Sequence, residues 1–186
     1  MAKENSANSK ALSADIDAGR VTQLQRRVDN NSKIIDDIVN KLVSDYCGYL
    51  DEYMAFIKKI LDDTTNPPTD EELDDFVMNL SVLLYYTGEG QEALGVKEDV
   101  AKAIKMELYN ETFDKASGTI SDKTALAELA TQNEYLTHVI YSRAYRKIKL
   151  RAEAGNEVLQ SMKKIISRRV SAYGLSGVDP ARIGGR

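Results

Sequence analysis

Residues 28–56, VDNNSKIIDDIVNKLVSDYCGYLDEYMAF, decide the fold class. Val28, Ile35, Leu42, Tyr49 and Phe56 recur every seven positions, close to two turns of an α-helix and far from the two-residue alternation of a strand. Leu24 and Ile38 begin a second seam, which slips by one residue and continues through Tyr46, Tyr53 and Ile60. The spacing predicts a long helix over about 20–62 with a coiled-coil-like face. Asn31 interrupts the second seam; such a polar residue can fix register in a coiled coil, and it equally suits a position near the start of a helix.

On the N-terminal side, MAKENSANSKALSADIDAGR is polar, small and aperiodic, and reads as a flexible arm over 1–20. It lacks the apolar core of a secretory signal, so the protein is expected in the cytoplasm. On the C-terminal side, the two prolines of TTNPPTDEE stop the helix, and Thr69 followed by Glu72 is a capping-box pattern that starts the next. Leu73, Phe76, Val77, Leu80, Leu83 and Leu84 supply its apolar face. TGEGQ at 87–91 is expected to end it.

A third helix follows over about 91–114, carrying Val96, Val100, Ile104, Leu108 and Phe113. KASGTISDK is a turn with Ser121 or Asp122 as the cap. The last helix is expected over about 122–172, with Leu126, Leu129, Leu136, Val139, Ile148, Leu159, Met162 and Ile166 as core candidates and Gly155 as a weak point or bend. The glycine-rich end, GLSGVDPARIGGR, should have no regular structure. The expectation is an all-α helical bundle: an arm at 1–20, a helical domain at 21–172 and a tail at 173–186. Sparse glycine (11) and proline (3) in 186 residues agree with helices over a sheet.

The net charge of −4 conceals an asymmetry. Residues 36–75 hold twelve acids against three lysines, a balance of −9, whereas residues 141–169 hold nine bases against Glu153 and Glu157, a balance of +7. The domain thus has an acidic half to about 90 and a basic half from about 91. Regions of opposite sign can attract different partners or join copies of one protein, and they can equally be solvated helix faces.

Catalytic motifs are absent. The chain has one histidine, His138, and one cysteine, Cys47, far apart in sequence, and lacks HExxH, CxxC, a Gly-rich phosphate loop and GxSxG. No enzymatic activity, no catalytic or metal-ligating residue and no cofactor is expected. The longest mostly apolar run, LSVLLYY at 80–86, is far short of the roughly 20 residues that span a bilayer, so no membrane partner is expected.

The basic half contains YSRAYRKIKLR at 141–151. On a helix Arg143, Lys147 and Arg151 form one stripe, and Arg146 and Lys149 lie on an adjoining flank. Such a stripe can follow a phosphate backbone. Tyr141 and Tyr145 share a face, and rings beside cations suit single-stranded nucleic acid, where stacking contributes roughly 1–3 kcal/mol per base without sequence preference. The competing reading is that the tyrosines pack with their hydroxyls at the rim while the arginines cover apolar surface.

From about Val96 to Tyr173 the order of features resembles the recombination mediators of T-even-like phages, the UvsY family. These features are VAKAIKMELYNETFD, a short turn, SDKTALAELATQNEYL, and the closing basic stretch VLQSMKKIISRR. The resemblance implies a helical, ring-like homo-oligomer that binds single-stranded DNA and helps to load a recombinase onto strands covered by a single-strand-binding protein. The family's Lys-x-Arg-Leu pattern would fall on Lys105, Glu107 and Leu108, followed by Tyr109. Glu107 departs from it, leaving Lys102 and Lys105 as the nearby cations.

The resulting expectation is a non-enzymatic, homo-oligomeric accessory protein of phage recombination or replication in the host cytoplasm. Lys102, Lys105, Arg143, Arg146, Lys147, Lys149 and Arg151 would hold phosphates, and Tyr141 and Tyr145 would stack on bases. The alternative is a structural or assembly protein of the phage virion with ordered terminal arms. A third reading is an adaptor whose acidic and basic helices meet different proteins.

Overall fold

The computed structural model describes residues 2–176, with side chains described over 19–172. Of the tail expected at 173–186, residues 173–176 are helical, and 177–186 lie outside the described residues. Four helices make up the fold: α1 (Ala2–Leu61), α2 (Asp70–Lys115), α3 (Ile120–Ala130) and α4 (Gln132–Ser176). No strand occurs among the described residues, so the fold is all-α. The chain divides into two compact units, residues 1–40 and 41–186.

In the first unit the helix begins at Ala2, well before position 20, so the segment expected as an arm is helical. Its Ala, Lys, Glu and Leu residues favour helix, and neither proline nor glycine intervenes before Gly19.

The second unit is built on residues 41–61 of α1, with α2 and α4. Leu50, Ile57, Leu73, Phe76, Leu80, Leu159 and Met162 form its buried core, flanked by Tyr53, Met54, Leu84 and Ile166. The seam facing this core is Val43, Leu50 and Ile57, one residue beyond the expected Leu42, Tyr49 and Phe56. Tyr49 is 81 % exposed. The slipped seam of Tyr46, Tyr53 and Ile60 lies half-buried beside the core, because from Val43 onward the helix must face two neighbours and so buries a broader stripe.

Two prolines separate α1 from α2 as expected. Thr69 caps α2 reciprocally: its hydroxyl accepts from the Glu72 amide at 3.2 Å, and the Glu72 carboxylate accepts from the Thr69 amide at 2.7 Å. The Thr69 amide first, and then its hydroxyl, hold the Glu72 carboxyl below its ordinary range. Stabilisation from this box is present above that range and lost as pH falls through the depressed value.

TGEGQ does not end a helix; α2 runs unbroken through it. Gly90 sits where α1 crosses closely, and a Cβ there would lie 2.7 Å from Cδ1 of Tyr46 and 3.2 Å from its Cβ. The adjacent Thr87 is buried, and its hydroxyl donates to the Leu83 carbonyl at 2.9 Å. Close approach, not chain reversal, accounts for the glycine. The expected boundary near 91 between acidic and basic halves consequently falls inside one helix.

Thr119, not Ser121 or Asp122, caps α3, with Asp122 completing the box from its third position. The last helix divides at Thr131, whose backbone stands at φ −98° and ψ 12°. Its buried hydroxyl donates to the Ala127 carbonyl at 2.9 Å, beside its own amide at 3.1 Å. Beyond it α4 passes straight through Gly155, where a Cβ would meet Cδ2 of Leu84 at 2.8 Å and Cδ1 of Leu50 at 3.6 Å. Helices α2 and α4 run antiparallel, as Arg169 beside Asp70 at one end and His138 beside Glu98 toward the other require.

The two glycines predict opposite outcomes. Gly90→Ala drives a methyl into the stiff part of Tyr46, costing about 1–3 kcal/mol, against about 1 kcal/mol gained in helix propensity. Urea unfolding should therefore show a net loss. In Gly155→Ala the obstructing atom is a rotatable leucine methyl, and unfolding should stay within about 1 kcal/mol of the parent.

Candidate nucleic-acid interface

Helix α4 carries the basic segment, and its rotation is set by what it buries. Ala144, Ile148 and Gly155 face the bundle, so residues beside that line are drawn toward neighbouring helices. Arg143, Arg146 and Lys149, three apart, are exposed in one row. The expected stripe of Arg143, Lys147 and Arg151 is unevenly exposed: Lys147 is half-buried, and Arg151 extends its Nε to within 3.2 Å of Asp51 Oδ1 on α1. About 40 % of each partner's side chain is exposed, so this pair adds little to stability. Its effect is to divert a cation from the outer face.

The other expected contacts are dispersed by the same packing. Tyr145 has its ring against Gly95, and its hydroxyl accepts from Gln91 Nε2 at 3.2 Å. That is the rim-hydroxyl packing weighed for it. Lys105 Nζ sits 4.8 Å from the centre of the Tyr135 ring, a cation–π contact between α2 and α4. Lys102 is exposed on α2. Further along α4, Lys163, Lys164 and Arg168 are exposed, separated from the first row by exposed Glu153 and Glu157. Arg169 is engaged elsewhere, donating to the Pro68 carbonyl at 2.9 Å and to Asp70 at 2.7 Å. It ties the end of α4 to the start of α2.

Tyr141 lines a groove of about 450 Å³ between α2 and α4, with Val96, Lys97, Val100, Ile104 and Glu134. Val96, Val100 and Ile104, the apolar residues that the sequence places on this helix, are all about half exposed, because Leu94 and Ala101 take the inward positions. Leu126, Leu129 and Leu136 are likewise exposed. Sequence reasoning missed this groove because an i, i+4, i+8 apolar row on a helix reads as core whether or not a neighbour covers it. Oε2 of Glu134 is buried without a hydrogen-bond partner.

Lys97 reaches across to α1, donating to the Tyr46 hydroxyl at 3.2 Å. His138 Nε2 lies 3.8 Å from Glu98 Oε1, both largely covered. Among the described residues no cluster of His, Cys, Asp and Glu could hold a metal ion. No described helix is long and apolar enough to cross a membrane.

No protein-family model matches the chain, and no curated protein or solved structure matches it at a significant level.

Cys47 lies at the back of the Asp51–Arg151 pair. Burial first, and Asp51 next, push its thiol up to about 11, against the opposing influence of Arg151. A buried thiol of that kind is inert. Reaction with a disulfide reagent at neutral pH should be about 100-fold slower in the native protein than in denaturant, followed by absorbance of the released thiolate.

Proposed function

We propose that the protein is a non-enzymatic, homo-oligomeric single-stranded DNA-binding accessory factor of phage recombination or replication, acting in the host cytoplasm. The observation that carries the reading is the exposed row of Arg143, Arg146 and Lys149, held on a 45-residue helix whose opposite face is fixed in the bundle. Arg143 to Lys149 spans about 1.7 helical turns, about 9 Å at 1.5 Å per residue. Bases held at such spacing on a rigid helix can contact successive phosphates without reading sequence.

Tyr141, at the mouth of the groove between α2 and α4, is better disposed toward a base than Tyr145, whose ring is engaged with Gly95. Lys102 would add a further phosphate contact. The resemblance of residues 96–173 to recombination mediators supports the same reading and implies a recombinase or a single-strand-binding protein as a further partner. Each subunit offers a modest basic surface, and an oligomer multiplies it through effective concentration.

The virion-assembly reading draws on a different observation, the apolar residues left exposed along α1, among them Val21, Leu24 and Val28.

Fluorescence anisotropy of a labelled single-stranded oligonucleotide, with its duplex as control, tests the proposal. Preference for the single strand is expected, with log affinity falling against log salt by about 3 per subunit, as the three contacts of the row and that of Lys102 require at about 0.7 each. No binding at low salt would overturn the reading and leave virion assembly in its place.

A further inference from the structure

The first unit presents a feature that the DNA-binding reading does not use. Val21, Leu24, Val28 and Ile38 are exposed along α1, Ile35 is half-buried and Val39, beside Ile35 on the helix, is fully buried within the chain; Val28 is 61 % exposed. Read in sevens, Val21, Val28 and Ile35 occupy one position and Leu24, Asn31 and Ile38 the other, which are the a and d positions of a heptad over three repeats. A surface helix that meets its own globular core needs a broader stripe with period 3.6, whereas a strict 3.5-residue seam fits a second helix. The d line loses its apolar character at Asp45, two heptads beyond Asn31, while the a line runs on through Leu42, Tyr49 and Phe56.

We infer that residues 20–38 of α1 form a parallel, in-register, two-stranded coiled coil with the same segment of a second copy of this chain. Three observations select that occupant. In-register parallel pairing places each a residue against its own copy and each d residue likewise, so Asn31 meets Asn31 and their amides can hydrogen-bond across the seam. Any other register leaves that amide against Val28, Ile35 or another apolar side chain.

Charge points the same way. In the parallel pair the flanking g and e positions bring Arg20 to Gln25 and Arg27 to Ser32, with no clash of like charges. In the two antiparallel registers of greatest overlap, Asn31 faces Val28 or Ile35, and Arg20 or Arg27 comes opposite Lys41 of the second copy. Branched residues at all three a positions, with Leu24 at the first d position, favour two strands. A heterologous partner would have no reason to meet the asparagine with an asparagine, and a second copy does so automatically.

This inference deepens the oligomeric part of the proposed function and rests on that part alone. The full-length protein is measured without DNA by light scattering coupled to size exclusion across a dilution series. The expected mass is twice that of the 20.7 kDa chain, reduced to the single-chain value by Val28→Asp combined with Ile35→Asp. The urea unfolding transition of the 41–186 unit should be retained in that variant.

Because aspartates can also weaken the helix itself, a second variant keeps the orientation testable. Val28→Cys should give a covalent dimer on oxidation, while the parent, whose Cys47 is buried, should not. A single-chain mass for the parent, a paired-aspartate variant that keeps the parent's mass, or a Val28→Cys protein that does not cross-link would each overturn the inference. Failure of oligonucleotide binding leaves these readouts untouched and counts only against the DNA-binding reading.

Discussion

The close approach of three long helices at glycine positions governs the second unit. Where α1 crosses α2, the Tyr46 ring lies over Gly90; where α4 meets both, Leu84 and Leu50 close over Gly155. A side chain at Gly90 would push α1 away from α2, and the line of Leu50, Ile57, Leu73 and Leu80 below it would lose contact. These contacts also set the rotation of α4. With Gly155, Ile148 and Ala144 turned inward, the orientation of every other side chain on that helix follows.

This constraint determines which cations remain available at the surface. The segment 141–151 has five bases within eleven residues, and packing separates them by a turn of the helix or less. Arg151 is directed to Asp51, while Arg146 and Lys149 face outward. The acidic stretch of the chain thereby acts on the basic one inside the fold: Asp51 on α1 and Asp70 at the start of α2 each engage an arginine of α4. Part of the charge asymmetry visible in the sequence is thus internal complementarity, and part is surface.

Much of the architecture was legible in the residues. Helical periodicity gave the class, the paired prolines the first break, and Thr69 with Glu72 the cap of α2, since these are local effects with local signatures. The errors fell where a distant partner decides. Gly88 and Gly90 look like a terminator until Tyr46 is set over Gly90, and no local signature around Thr131 marks the division between α3 and α4. The register of α1 was off by one residue in the bundle for a related reason. The strict heptad of 28–56 is a real pattern, but Tyr49 and Phe56 are exposed, and a neighbouring line takes the core. For the candidate interface, the sequence identified the segment, and only the rotation of α4 could choose among its bases.

The most direct test compares two variants, matched for folding by urea unfolding, in their affinity for a single-stranded oligonucleotide. One removes the outward row through Arg143→Ala, Arg146→Ala and Lys149→Ala; the other removes the inward pair through Lys147→Ala and Arg151→Ala. If packing selects the phosphate contacts, the first should weaken binding by about 10-fold or more and flatten its salt dependence, and the second should change it by less than about 3-fold. Equal losses, or a greater loss from the inward pair, would contradict the account.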